Sequence, residues 1–113
     1  MAYLTIGDQV FSLNKTECRY TIGRHNSCDV SINSLYASRQ HAKIQECVDG
    51  HHLLVDVSSR NGLFVNGKKA KLWTLANRDV ITIGSVNIVF HAGLPEHMES
   101  NFGTISGAKY ETT

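Results

Sequence analysis

Residues 21–62, TIGRHNSCDVSINSLYASRQHAKIQECVDGHHLLVDVSSRNG, determine how the chain folds. Three clusters of polar and glycine residues, at 21–24, 38–41 and 58–62, fall at the breaks between the apolar segments of this stretch. Clusters of this composition mark connections, whereas the segments between them are short and contain many β-formers. The stretch therefore predicts a β framework whose loops carry arginine, serine and asparagine side chains.

The apolar segments have the alternation that is typical of strands. Residues 40–47 place Ala42 and Ile44 on one face and polar side chains on the other. An Asp-Gly turn at residues 49–50 leads into residues 53–57, which are apolar on nearly every position. This arrangement predicts a hairpin whose second strand is central and covered on both faces.

The rest of the chain continues the pattern on both sides. Residues 3–13 alternate about a Gly7-Asp8 turn, which predicts an N-terminal hairpin, and Asn66-Gly67 predicts a further tight turn. Residues 72–77 are ambiguous and are compatible with a single helical turn. The other predicted strands are residues 18–23, 29–32, 63–65, 68–72, 79–83 and 86–90.

About ten short strands with frequent turn signals, and no apolar repeat at helical spacing, predict an all-β fold. The pattern alone leaves a β-sandwich and a β-barrel open. After Pro95, the single proline, the apolar pattern stops. We therefore expect one domain over residues 1–91 and a flexible C-terminal tail over residues 92–113.

Composition excludes several classes of function. With 113 residues, 42% of them hydrophobic, the chain can bury a core but is short for two domains. A net charge of +1 argues against nucleic-acid and membrane-surface binding, which need a basic stripe. Cys18, Cys28 and Cys47 lack disulfide or metal spacing, so we expect reduced thiols and no metal. The sequence has no glycine-rich nucleotide loop, so we expect no cofactor. No export signal is evident, so the expected compartment is the cytoplasm, or the nucleus in a eukaryote.

The side chains on the three clusters suit a phosphorylated ligand. A phosphorylated side chain carries about −1.5 to −2 charges and three strong acceptor oxygens. Arginine binds such a group with two parallel charge-assisted hydrogen bonds, and hydroxyls fill the remaining oxygens. Arg24, Ser38 and Arg39 are of these types, and the Asn61 amide can both donate to and accept from a peptide backbone.

In this order and spacing, Gly23-Arg24, Ser38-Arg39-x-His41 and Asn61-Gly62 resemble the forkhead-associated (FHA) family. The resemblance spans about residues 3–91. It implies a β-sandwich of two mainly antiparallel sheets with about eleven short strands and ligand loops at one end. It also implies a phosphothreonine-binding adaptor, whose partners are a threonine-phosphorylated protein or peptide and, indirectly, a Ser/Thr kinase.

The resemblance assigns a role to each matching position. Arg24 and Ser38 resemble the residues that bind the phosphate, and Arg39 stands where a further phosphate or peptide contact is usual. Asn61 resembles the asparagine that holds the ligand backbone, and we expect Arg60 to reach the peptide or the phosphate. Three further positions resemble residues that shape the loops, namely Gly23, His41 and Gly62.

Other interpretations of these residues are weaker. Ser38, His41 and Asp56 can be drawn as a catalytic triad, but no glycine-framed nucleophile turn accompanies them, so we do not expect an enzyme. Asn61-Gly62 is also compatible with a simple type I′ turn. His41 is expected to be structural, because no second ligand lies at zinc spacing.

Two alternatives concern how the domain is used. A phospho-independent interaction or assembly module would use the faces of the fold, but it has no use for the loop side chains together. The tail threonines Thr104, Thr112 and Thr113 are candidate phosphoacceptors, and a phosphorylated tail could occupy the domain's own loops. We otherwise expect a monomer or weak self-association.

Overall fold

The computed structural model describes residues 1–57 and 59–93, and in these residues it contains eleven β-strands and no helix. The strands are β1 (Tyr3–Ile6), β2 (Gln9–Ser12), β3 (Arg19–Gly23), β4 (Val30–Ser31), β5 (Ala42–Glu46), β6 (His52–Asp56), β7 (Leu63–Val65), β8 (Lys68–Lys69), β9 (Leu72–Thr74), β10 (Val80–Ile83) and β11 (Val86–His91).

The strands form two sheets. One has the order β2-β1-β11-β10-β7-β8 and the other β4-β3-β5-β6-β9. Every pairing is antiparallel except that of β3 with β4, where Ile22 lies opposite Val30 in a parallel register. The predicted all-β fold of two mainly antiparallel sheets is confirmed.

Alternating side chains of the two sheets form a single core. In β5, Ala42 and Ile44 are buried while Lys43 between them is exposed, as the sequence alternation predicts. Two groups of side chains meet in this core. The first sheet contributes Leu4, Leu63, Val65, Ile81, Ile83, Ile88 and Phe90, and the second contributes Tyr20, Ile22, Val30, Ala42, Ile44 and Leu54.

The predicted hairpins around residues 7–8 and 49–50 are present, and the strands predicted over residues 79–83 and 86–90 pair as a further hairpin. At the tip between β7 and β8, Asn66 has φ 52° and Gly67 has φ 83°. Positive φ at both residues is what a type I′ turn requires, so the local sequence sets this turn directly.

The structure decides the segment that the sequence leaves ambiguous and shortens one predicted strand. Residues 72–74 form strand β9, with Trp73 opposite Leu54 of β6, so this segment contains no helical turn. The strand predicted over residues 68–72 is limited to Lys68–Lys69. A two- or three-residue strand is too short to show a period of its own, and only pairing with a neighbour defines it.

The end of β6 leads into the third polar cluster, of which Ser58 lies outside the described residues. The tail predictions, including the three candidate phosphoacceptors, also fall outside them. Strand β11 ends at His91. A boundary after residue 91 remains a prediction. Across the described ranges, no helix is long and apolar enough to cross a membrane.

Candidate functional site

Hydrogen bonds tie the three polar clusters together at one end of the sandwich. Arg24, directly after β3, donates its backbone N–H to the Ser38 carbonyl oxygen over 3.0 Å. The Ser38 hydroxyl oxygen accepts the backbone N–H of Arg60 over 3.1 Å. The Asn61 side-chain amide donates to the Tyr36 carbonyl over 2.7 Å. Ser38 therefore links the loop after β3 to the loop after β6.

These loops enclose a cleft of about 390 Å³, which we call the principal cleft. It contains every residue for which the sequence predicts a ligand contact. Its lining consists of Arg24, Leu35, Tyr36, Ala37, Ser38, Arg39, Gln40, Arg60 and Asn61. Three guanidinium groups and no carboxylate among the described lining residues make the cleft suitable for an anion.

Arg24 is held in a defined orientation. Its Nε donates to the Ala37 carbonyl oxygen over 3.1 Å, which leaves the two terminal nitrogens for another acceptor. In the part of the chain that the structure describes, no carboxylate forms an ion pair with Arg24, Arg39 or Arg60. Their charges can therefore act on a ligand rather than on a neighbouring side chain.

His41 is fully buried beneath the loops and both ring nitrogens have partners. Nδ1 accepts the backbone N–H of Ser38 over 2.9 Å, and Nε2 lies 2.7 Å from the Gly62 carbonyl oxygen, to which it donates. Because Nδ1 is an acceptor, the ring proton of the neutral imidazole belongs on Nε2. The ring thus connects the loop before β5 to the loop before β7.

Ser38, His41 and Asp56 do not form a catalytic triad in the structure. His41 contacts the backbone of Ser38 and not its hydroxyl group, which instead accepts from Arg60. The Asp56 carboxylate accepts from the backbone N–H and the hydroxyl of Ser59, at 2.7 and 2.9 Å. Neither His41 nor Asp56 is therefore placed to activate the Ser38 hydroxyl as a nucleophile.

Two glycines shape the loops for different reasons. A Cβ at Gly23 would lie 2.2 Å from the Arg39 carbonyl oxygen, so only glycine allows these two backbones to approach as they do. Gly62 has φ 89°, a left-handed conformation, but Asn61 has no positive φ. The simple type I′ turn at residues 61–62 is therefore absent, and the Asn61 side chain is exposed beside the cleft.

The carbonyl of Arg39 has further partners. It accepts the backbone N–H of His25 at 3.1 Å and lies 3.3 Å from the Cys28 sulfur, which donates to it. Burial raises the pKa of the Cys28 thiol, so the sulfur keeps its proton at neutral pH. These bonds fix the backbone that carries the Arg39 side chain.

Sequence reasoning missed two parts of the cleft. Ala37 orients Arg24 through a backbone carbonyl, for which a sequence gives no signal. The sequence alternation places Gln40 in a strand, but β5 begins only at Ala42, so Gln40 lies in the loop and lines the cleft. Its polar neighbours Arg39 and His41 were the available sign that the loop extends this far.

No metal centre competes with this cleft within residues 1–57 and 59–93, where no three His, Cys, Asp or Glu side chains are grouped to hold an ion. The fold and the site together define a β-sandwich binding domain whose ligand loops lie at one end. The FHA domain family model matches residues 20–84, which include all three loops. The chain belongs to the FHA domain family.

Two bacterial proteins are similar to part of this chain. An ABC transporter ATP-binding/permease protein of Mycobacterium tuberculosis is 39% identical over 80 residues, which are 71% of this chain and 9% of the relative. An oxoglutarate dehydrogenase inhibitor of Corynebacterium diphtheriae is 36% identical over 73 residues, which are 65% of this chain and 50% of the inhibitor. The chain thus spans half or less of the length of these relatives.

A solved structure from work on phosphothreonine-dependent FHA domain interactions superimposes with a TM-score of 0.73. It is 29% identical, and the match covers 80% of this chain and 94% of that one. The resemblance to the family is confirmed by the family model and by this solved structure.

Proposed function

We propose that this domain is a phosphothreonine-dependent peptide-binding adaptor. The observation that carries the proposal is the convergence of Arg24, Ser38, Arg39, Arg60 and Asn61 on one cleft without a carboxylate among its described lining residues. The solved relative with phosphothreonine-dependent interactions supports the same ligand class. The partner is a threonine-phosphorylated protein or peptide, produced by a Ser/Thr kinase.

Each side chain has a role that follows from its chemistry. The terminal nitrogens of Arg24 bind two phosphate oxygens, because its Nε is already engaged with Ala37. The Ser38 hydroxyl accepts from Arg60 and can donate its own proton to a third phosphate oxygen. Arg39 and Arg60 add charge at the sides of the cleft.

Asn61 holds the backbone of the ligand. Its Nδ2 donates one proton to Tyr36 and has a second proton, while its amide oxygen accepts from no described residue. An extended peptide can use both groups beside its phosphothreonine. Gly23, His41 and Gly62 keep the loops in register and make no ligand contact.

The function is binding, not catalysis. Membership of the FHA family and an inhibitor protein among the relatives favour a binding module. The Ser38 hydroxyl is bonded to Arg60 and the Asp56 carboxylate to Ser59, so neither takes part in a catalytic triad. As an adaptor, the domain recruits a phosphorylated partner by binding it.

Calorimetry with one threonine peptide, with and without its phosphate, tests the proposal. Two or more charge-assisted hydrogen bonds of about 1.5–3 kcal/mol each predict that phosphate tightens binding by about 100-fold or more. Equal affinity of the two peptides would reject the proposal and favour a phospho-independent assembly module. A peptide with phosphoserine in place of phosphothreonine serves as the control for the residue type.

A further inference from the structure

The outer face of the first sheet is almost without charge. Side chains that alternate with the buried ones along its strands point away from the core. These outward residues are Tyr3, Thr5, Val10, Ser12, Phe64, Lys69, Val80, Thr82, Asn87, Val89 and His91. We call this surface the neutral face. Among its residues only Lys69, on edge strand β8, is a lysine, and none is an arginine, aspartate or glutamate.

The outer face of the second sheet is different. Strands β3 and β5 place Arg19 and Lys43 outward, in alternation with buried side chains, and both residues are exposed. Charged side chains on an outer face favour contact with water over contact with another protein surface. The lack of charge is therefore a property of one face and not of the whole fold.

A row of side chains that bear methyl groups crosses the neutral face. The residues that lie opposite one another on β2, β1, β11 and β10 are Val10, Thr5, Val89 and Val80. Val10 is 61% exposed, and the other three side chains are partly exposed. Apolar and β-branched side chains on neighbouring strands are the surface that one sheet offers to another in sandwich packing.

Polar side chains of the neutral face are bonded to one another. The Thr5 hydroxyl lies 3.0 Å from His91 Nε2, and the Thr82 hydroxyl donates to the Asn87 side-chain oxygen over 2.8 Å. The Tyr3 and His91 rings are stacked with their centroids 4.4 Å apart. Burial lowers the pKa of His91, so its ring is neutral at pH 7. Covering these groups therefore removes few hydrogen bonds to water, which lowers the cost of burying them.

A second copy of this chain suits the neutral face. A partner with a charged surface would bury those charges against a face that offers no counter-charge, which is strongly unfavourable. An identical face brings the same apolar row and the same paired polar groups. A two-fold axis through the middle of the sheet keeps Lys69, at the edge, away from the centre of the contact.

The size of the neutral face limits the strength of the contact. Five strands about 4.8 Å apart, with about four residues of 3.3 Å along each, give a footprint of roughly 300 Å². Specific and stable complexes bury about 800 Å² per partner. The footprint therefore predicts a reversible dimer with a dissociation constant above about 10 µM rather than a permanent one.

We propose that the neutral face is the interface of a weak homodimer, in which two copies pack sheet against sheet about a two-fold axis. None of the residues of the neutral face lines the principal cleft, so both clefts stay open in the dimer. Dimer formation needs no phosphate and is independent of the proposed function. Where that function also holds, a partner with two phosphothreonines gains avidity from the two clefts of one dimer.

Sedimentation equilibrium of the chain alone, without any peptide, tests the dimer. Between about 10 µM and 1 mM, the weight-average mass should rise from that of one chain toward that of two. Backbone amide chemical shifts during dilution over the same range locate the contact. We expect the largest changes in β1, β2, β10 and β11, whose outward residues form most of the neutral face.

The decisive variant is Val89→Lys, which puts a like charge of each copy near the middle of the contact. We expect it to weaken the dimer at least about tenfold. Val10→Lys is a second variant, at a position whose exposure lets the monomer accept a lysine, and it should weaken the dimer less. The matched control is Val55→Lys, at a partly exposed valine on the outer face of β6 in the second sheet. Thermal unfolding verifies that all three variants are folded.

The control should dimerise as the unchanged protein does. A chain that stays monomeric at about 1 mM overturns the proposal, whether residues 94–113, another protein or water covers the neutral face. A dimer that both neutral-face variants leave intact overturns it as well, as do dilution shifts that centre on the second sheet. Equal loss in Val55→Lys would mean that added charge alone prevents association, which also overturns it. A chain that dimerises but does not bind a phosphothreonine peptide contradicts only the proposed function.

Discussion

Ser38 connects the loops through three groups. Its carbonyl accepts from Arg24, its N–H donates to His41, and its hydroxyl accepts from Arg60. The sequence predicts a ligand role for this serine from its type and neighbours. It could not predict the backbone bonds, because they depend on which loops the fold brings together.

Arg24 is the residue whose replacement should weaken phosphopeptide binding most. Arg24→Ala should cost about 2–4 kcal/mol of phosphopeptide binding, since charge-assisted bonds are lost and phosphate oxygens are left unpaired. The matched control is Arg19→Ala, which removes the same charge from exposed Arg19 of β3, outside the lining of the principal cleft. Calorimetry should show near-normal phosphopeptide affinity for the control. Equal losses of affinity in the two variants would mean that the loss comes from the change in net charge alone.

The absence of a side chain at Gly23 has a measurable consequence. Gly23→Ala places a Cβ against the Arg39 carbonyl and should lower the free energy of unfolding by about 1–3 kcal/mol. It should also displace Arg39 and weaken phosphopeptide binding. Gly93→Ala is the control, because a Cβ there meets nothing within 4 Å. Urea unfolding and calorimetry measure both effects, and unchanged binding by Gly23→Ala would contradict the proposed scaffold role.

At the scale of elements, alternation identified the longer strands, and their pairing confirmed them. Residues 72–74 were not identified because a three-residue strand has less than two full periods of alternation. Strand β9 is defined by its register with β6, Val55 lying opposite Leu72. Such long-range pairing is a property of the folded chain rather than of the local sequence.

Asp79 joins the segment after β9 to the turn between β7 and β8. Its carboxylate accepts from the Asn66 amide, the Trp73 indole N–H and the Ala76 backbone N–H, at 2.9, 3.1 and 2.8 Å. In Asp79→Asn an NH₂ group replaces one carboxylate oxygen and faces N–H donors that then lose their acceptor. This change should lower the free energy of unfolding by about 2–3 kcal/mol at pH 7. Asp8→Asn in the exposed β1–β2 turn is the control, and urea unfolding measures both.

The same carboxylate predicts a pH dependence. Burial alone would raise the pKa of Asp79, but the hydrogen bonds from Ala76, Asn66 and Trp73 outweigh burial and lower it. In the unfolded state the pKa of an aspartate is about 3.9. Because the pKa of Asp79 is lower than this in the folded state, its ionised form stabilises the fold above about pH 3.9. That stabilisation is lost as the pH falls through the folded-state pKa. The difference in unfolding free energy between the unchanged protein and Asp79→Asn should therefore shrink below about pH 4. A difference that stays constant down to pH 2 would contradict this account.

At the scale of the whole molecule, the two sheets form a rigid support and the loops at one end carry the chemistry. A ligand that binds only this folded arrangement must stabilise the fold. At about 100 times its Kd, a phosphothreonine peptide should raise the free energy of unfolding by about 2.7 kcal/mol. Thermal unfolding should show a higher Tm for the unchanged protein and almost no shift for Arg24→Ala. An equal shift with the unphosphorylated peptide would indicate binding elsewhere on the domain.

The central claim is that three loops converge on one phosphothreonine. Backbone amide chemical shifts during titration with a threonine peptide, phosphorylated and then unphosphorylated, test that claim most directly. The account predicts shifts at residues 24–25, 35–40 and 60–62 with the phosphorylated peptide and almost none without the phosphate. Shifts that centre on the outer faces of the sheets, or that are the same for both peptides, would contradict it.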